Sequence, residues 1–204
     1  MSLRTGGEDI VTDPLSAAAL AGGLSWASGI RLYMTLFIAG LFGRSGWIDL
    51  PPALEILQSP WVIGVTGILL IVEFLADKVP GIDSAWDAIQ TFIRVPAGAV
   101  LGAAALGEMG TEWSTIAALL GGTFAAGAHM TKAGSRALIN TSPEPFSNWA
   151  ASFSEEVAVM GGLWAAFFYP WVLFGFLAVF FLVALWLLPK LWRGLQWLFR
   201  KLST

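Results

Sequence analysis

The stretch VAVMGGLWAAFFYPWVLFGFLAVFFLVALWLLP, residues 157–189, carries no charged side chain and decides the class of the fold. A helix rises about 1.5 Å per residue, so roughly 20 apolar residues cross the roughly 30 Å of a bilayer's hydrocarbon. The stretch is too long for one crossing, and the Tyr169-Pro170 step divides it. The fifth predicted crossing then runs from about Asn148 to Phe168, taking in Glu155 and Glu156, and the sixth from Trp171 to Leu188. The rest of the chain agrees with this class. Of 204 residues 56% are hydrophobic and only 12% charged, with mean hydropathy +0.72. Soluble domains carry about a quarter charged residues. This is the composition of a membrane protein.

Earlier segments follow the same rule. The first runs from Leu15 to Gly43 and is interrupted only by Arg31; the second, Pro60 to Ala76, carries Glu73 before ending at Asp77 and Lys78. The third run, Val95 to Gly107, has 13 uncharged residues. That is about 20 Å of helix, so it borrows from its flanks or stops short of a crossing. Before it, GIDSAWDAIQTFIR (81–94) sets Ile82, Trp86, Ile89 and Ile93 at helical spacing, which predicts an amphipathic helix at the interface. The fourth run, Trp113 to Thr131, is rich in Gly and Ala and has His129 near its end. The predicted fold is therefore an all-α membrane bundle of six hydrophobic segments, with short or re-entrant middle segments. It divides into a polar tail (1–14), a membrane domain (15–189) and a basic amphipathic interfacial helix (190–204).

Positive charge favours the cytoplasmic side. Six crossings with both ends inside place Arg4, Lys78, Arg94, Lys132, Arg136, Lys190, Arg193, Arg200 and Lys201 in the cytoplasm and only Arg44 outside. The tail before Asp13 is polar and acidic, without the basic start of a signal peptide. The end of the chain sets Leu191, Trp192, Leu195, Leu198, Phe199 and Leu202 on one face and Arg193, Gln196, Arg200 and Lys201 on the other, as a helix lying on an anionic leaflet would. GGLSWASG (22–29) recurs loosely as GGTFAAGA (121–128), and acidic residues follow each copy one helix later. Two halves, 15–109 and 113–189, with three segments each would form an inverted repeat of the kind transporters use. Chance similarity of Gly/Ala-rich helices explains the match equally well.

Function classes can be excluded before any is chosen. A net charge of −3 leaves no basic surface for nucleic acid, and the absence of cysteine removes disulfides, thiolate nucleophiles and Cys-ligated metals. His129 is the only histidine. No hydrolase, kinase or zinc-peptidase motif is present, and no enzyme activity or cofactor is expected.

What remains is charge inside hydrocarbon, which costs a few kcal/mol unless paired or hydrated and is functional by default. Arg31 lies deepest, about 24 Å along its helix. Glu73, Glu155 and Glu156 are its expected counterions; the competing reading is a salt bridge that only fixes packing. Asp77, Lys78, Asp83, Asp87 and Arg94 form a second group. Asp83 and Asp87 share a helix face that would suit a hard cation, although capping by Asp83 and Ser84 is the simpler role. The third group combines His129, Lys132, Arg136 and Asn140 ahead of a Pro143-Glu144-Pro145 break. Lys132 and Arg136, four apart, make an anion or phosphate clamp, or supply ordinary inner-loop charge.

The segments ASGIR, ADKVPGIDSAWD, IRVPAGA, AGAHMTKAGSRALIN and SPEPFSNW resemble a family of small bacterial inner-membrane proteins classed as a domain of unknown function. The resemblance covers residues 18 to 186. It implies that these polar patches matter and carries no activity. From the residues themselves, the expected function is transport of a small anionic solute or lipid head group through the charged intramembrane site, with proton coupling. A scaffold or an oligomeric channel is the alternative. The expected partners are membrane lipids, that anion and further copies of the chain.

Overall fold

The computed structural model describes residues 13–79, 82–141 and 146–202, and side chains within the last helix up to Gly194 and at Gln196 and Arg200. It contains α1 (Pro14–Arg44), α2 (Pro60–Ala76), α3 (Ile82–Ala105), α4 (Thr111–Ile139), α5 (Phe146–Phe168) and α6 (Pro170–Leu202), with short 3-10 turns at Pro52–Gln58 and Gly107–Met109. No strand occurs among the described residues. Helix starts are written locally. Asp13 caps α1 by accepting from the main-chain N–H groups of Leu15 and Ser16, and Pro14, Pro60 and Pro170 open their helices where a missing N–H is harmless. Among the described residues three helices are long and apolar enough to cross a membrane, at 14–44, 82–105 and 170–194, and a fourth span results if the 3-10 turn and α2, bent by 68°, count as one. The protein is a helical membrane protein.

The first helix is not straight. Arg31 has φ −140° and ψ 80°, outside the helical region, and splits α1 into two halves. Packing on α5 shows how far they turn. Gly23 abuts Ala166, while the next residue, Phe167, places its ring 5.9 Å from that of Phe42. In a straight helix Gly23 and Phe42 would stand about 28 Å apart, too far for both contacts. The chain therefore turns back at Arg31, and the second half of α1 returns toward the face from which the first half came. At the break the Ile30 carbonyl finds a new donor in Lys132 Nζ (3.3 Å), and Thr35 Oγ1 donates to the Arg31 carbonyl (2.8 Å). The first crossing expected at 15–43 is thus corrected to a helix that turns at Arg31, the residue that interrupts its apolar run. By contrast, α4 continues without a break from Thr111 to Ile139, so the two Gly/Ala motifs sit in helices of different shape.

The interfacial helix expected at 81–94 is also corrected. Residues 82–94 continue into 95–105 as one helix, which resolves the short third run by borrowing from its flank. Its orientation is the reverse of a water-facing surface helix. Asp83, Asp87, Gln90 and Arg94 point inward, whereas Ile82, Ile89 and Ile93 are exposed. Further along, Gly98 and Gly102 let α3 approach α1 and α4 closely; Ser25 Oγ donates to the Gly98 carbonyl at 2.8 Å, and a methyl at Gly121 would meet the Gly98 carbonyl. The segment 190–202 is a continuation of α6 through Pro189, not a separate helix. Several side chains of its expected apolar face, like the Pro143-Glu144-Pro145 break and the tail before Asp13, lie outside the described residues.

Candidate functional site

The break in α1 delivers Arg31 to the centre of a buried ion cluster. Its guanidinium lies 2.8 Å from Asp77, 3.3 Å from Glu155 and 3.5 Å from Glu156, and Nη2 donates to Ser152 Oγ at 2.8 Å. Two cations one turn apart on α4 reach the same acids. Lys132 lies 3.1 Å from Asp77, 3.6 Å from Asp87 and 3.4 Å from Glu155. Arg136 binds Glu155 through Nε at 2.8 Å and Nη2 at 3.2 Å, a fork-to-fork pair, and Nη1 donates to the Asn148 carbonyl at 3.0 Å. Asp77 is therefore shared by Arg31, Lys132 and Arg136, from two helices that the break and the Gly29–Ala125 close approach hold together. Arg31 and Asp77 are fully buried, and Glu155 and Glu156 are the partly open edge.

A second cluster adjoins the first. Arg94 pairs with Glu73 at 2.6 Å and with Asp87 at 3.0 Å, and all three are buried. Arg94 Nη1 also lies 3.1 Å from His129 Nδ1, and His129 Nε2 lies 2.6 Å from Thr91 Oγ1. An arginine can only donate, so Nδ1 accepts and the proton of a neutral His129 sits on Nε2. It donates to Thr91, whose hydroxyl donates to the Asp87 carbonyl at 2.9 Å. Lys132 links the two clusters through Asp77 and Asp87.

Of the thirteen candidate residues, eleven lie in or against these clusters. Asn140 sits at the edge, donating to Asp83 at 2.8 Å and to Ser84 at 2.9 Å, rather than joining Lys132 and Arg136. Lys78 sits at the edge. Its ammonium lies 3.1 Å above the Phe74 ring and within electrostatic reach of Glu156 and Asp77, and burial holds its pKa below the ordinary lysine value. Among the described residues Asp83 makes no ion pair, its partner being Asn140. Among the described residues no three His, Asp or Glu side chains converge as a metal site, so the hard-cation role for Asp83 and Asp87 has no cluster behind it. Ser152, Asn148, Thr91 and Gln90 join the polar interior without having been marked in the sequence. The one signal that pointed to them is spacing: Asn148, Ser152 and Glu155 recur on one face of α5, and Asp83, Asp87, Gln90 and Arg94 on one face of α3.

Comparison with known proteins follows the same outline. Residues 18–190 match the family described as domain of unknown function DUF4126, and the chain belongs to that family. No curated protein and no solved structure matches it.

Proposed function

Starting from that membership, we propose that the chain is a transporter-like protein of a bacterial inner membrane, carrying a small anion together with a proton through the cluster at Arg31. The observation that carries this reading is the convergence of Arg31, Lys132 and Arg136 on Asp77 and Glu155 at a helix break. Broken helices at membrane depth line binding sites in transporters, because freed backbone is tolerated only beside a cavity or within protein. Glu155 and Glu156 have side chains 14% and 23% exposed, so they are where a solute meets the cluster. Protonating Glu155 removes one of the two carboxylates that Arg31, Lys132 and Arg136 share, leaving Asp77 to hold all three and loosening the open edge of the cluster. A monovalent anion then replaces the lost charge, and proton and anion move together with no net charge.

The remaining expectations belong to this reading. Each half, 15–109 and 113–189, supplies cations and acids to the site, which fits a two-half organisation. Because α1 turns back, we place its two ends on the face where α6 begins and the basic end of α6 on the opposite, cytoplasmic face. On this reading the basic C-terminal end is cytoplasmic, as its positive charge predicts, and the start of α1 faces the other side.

The test is flux in proteoliposomes. Chloride, inorganic phosphate and a fluorescent anionic phospholipid are offered separately while internal pH is followed with a trapped dye. Proton uptake driven by one of these anions, at least tenfold lower in Arg31→Ala, supports the reading; equal flux in both contradicts it. The scaffold alternative draws on one observation, that every cation in the cluster is already paired. It expects single charge removals to destabilise the fold, paired removals to restore it, and no anion-driven proton flux at all.

A further inference from the structure

A large space lies apart from the ion clusters. Between the first turns of α1, α4 and α6 is a cavity of about 410 Å³ with an apolar wall. Ala18, Gly22 and Ala178 line it with small side chains, and Trp113, Ile116 and Leu120 flank it on the outside of the bundle, where all three are exposed. Small residues on facing helices usually let the helices meet; here they line a slot. Its inner end is closed by the rings of Phe124 and Phe181, 4.9 Å apart. From Trp113 to Phe124 the slot follows α4 for about 16 Å, half of the roughly 30 Å of hydrocarbon. At its outer end the exposed rings of Trp113, Tyr169 and Trp171 mark the head-group level. The slot therefore runs from the interface to the middle of the bilayer, the depth of one leaflet.

We propose that this slot is a lipid site, holding one acyl chain of a phospholipid whose head group carries an ammonium. A dry apolar cavity of even about 150 Å³ takes up apolar molecules. At this depth the surrounding medium is hydrocarbon, so acyl chains are what reach the opening, and a slot one leaflet deep with a closed inner end takes a chain lengthwise. A partner helix, about 10 Å across, is too thick for a space that averages about 25 Å² in section over that length. Charge selects the head group. Glu108 and Glu112 are exposed beside the slot-lining residues Leu106 and Trp113, and Asp13 caps α1 just before Ala18. Of the described basic residues only Arg44 shares this face of the bundle, and it turns to the Gln58 carbonyl at 3.4 Å. Such an acidic rim repels an anionic head group and attracts an ammonium. The slot is separate from the ion cluster, because Lys132 lies about 12 Å beyond Phe124 along α4. The inference therefore does not rest on transport.

The full chain in lipid nanodiscs is photolabelled with phosphatidylethanolamine bearing a diazirine halfway along one acyl chain, and the adducts are mapped by mass. Bulk lipid labels outward residues such as Leu182 and Leu185, 68% and 69% exposed. A chain inside the slot labels Ala117, Gly121 and Leu177, which line it and are otherwise buried. Adducts at these three are expected to exceed at least fivefold those from phosphatidylglycerol with the same labelled chain. Ala178→Phe, or Ala18→Phe should the first variant unfold, fills the slot and removes them while labelling at Leu182 and Leu185 persists. Glu108→Gln with Glu112→Gln keeps the slot adducts and abolishes the preference for phosphatidylethanolamine. Adducts confined to outward residues in the wild type, slot adducts that survive the filled variants, or equal labelling by phosphatidylglycerol overturns the proposal. A dimer in the nanodisc that Ala178→Phe dissociates also overturns it, assigning the face to a second copy of the chain.

Discussion

The two halves of α3 pack inward by opposite means. From Ile82 to Arg94 the buried residues are Asp83, Asp87, Gln90 and Arg94; from Gly98 to Ala105 they are Gly98, Leu101, Gly102 and Ala105. Lipid tails are as apolar as leucine, so burying an apolar face gains little in a membrane, and association depends on close packing and on polar groups that hydrocarbon cannot host. The first half follows the polar rule, turning its isoleucines outward to keep its ions together. The second follows the steric rule, using Gly98 and Gly102 to bring main chains nearly into contact.

The sharpest way to break this comparison is to remove charge from the first half. Arg94→Ala leaves Glu73 and Asp87 short of a buried partner and is expected to cost about 3–5 kcal/mol, with a second change, Glu73→Ala, recovering part of the loss. Thermal unfolding in mild detergent measures both; a cost near zero would mean that the ions do not hold this half. In the second half, Gly98→Leu drives a side chain into Ala125 and the Gly121 carbonyl and is expected to cost about 1–3 kcal/mol, since overpacking forces backbone shifts. Ser25→Ala removes the hydrogen bond to the Gly98 carbonyl and is expected to cost about 1 kcal/mol in the same assay. Arg44 is the exposed counterpart of Arg31, and Arg44→Ala tests it. It sits exposed with one 3.4 Å bond to the Gln58 carbonyl, and its loss is expected to stay within about 0.5 kcal/mol.

The smallest effect is one of pH at the start of α1. The Ser16 hydroxyl and main-chain N–H donate to Asp13 and hold its pKa below the ordinary 3.8. A carboxylate favoured in the fold contributes above its unfolded pKa and loses that contribution as pH falls through the folded one. The pH at which the first turn of α1 frays, read by hydrogen exchange at Ser16, should therefore lie below the ordinary carboxylate value. Fraying that begins at or above that value would contradict the cap.

Much of this was legible in the sequence because hydrocarbon imposes simple rules. Charge-free length gave the helices, Tyr169-Pro170 gave the α5–α6 boundary, and intramembrane charge marked Arg31, Glu73, Glu155 and Glu156. What escaped was sidedness. The spacing of Ile82, Ile89 and Ile93 predicts an interfacial helix with its polar face to water, whereas that polar face, Asp83, Asp87 and Arg94, turns to the protein interior. The turn at Arg31 escaped for another reason. No Pro lies within α1 beyond its first residue, and Gly29 is one of several glycines there, so nothing local distinguishes residue 31 as a break. Its setting is tertiary: a guanidinium buried against Asp77, Glu155 and Glu156 from two other parts of the chain.

That turn is what builds the site, and it is open to direct measurement because the chain has no cysteine to remove. Ser16→Cys and Ser45→Cys, labelled with nitroxides in lipid nanodiscs, report the separation of the two ends of α1 by pulsed electron resonance. The account predicts about 30 Å or less; a separation near 44 Å, the length of 29 residues of straight helix, would contradict it.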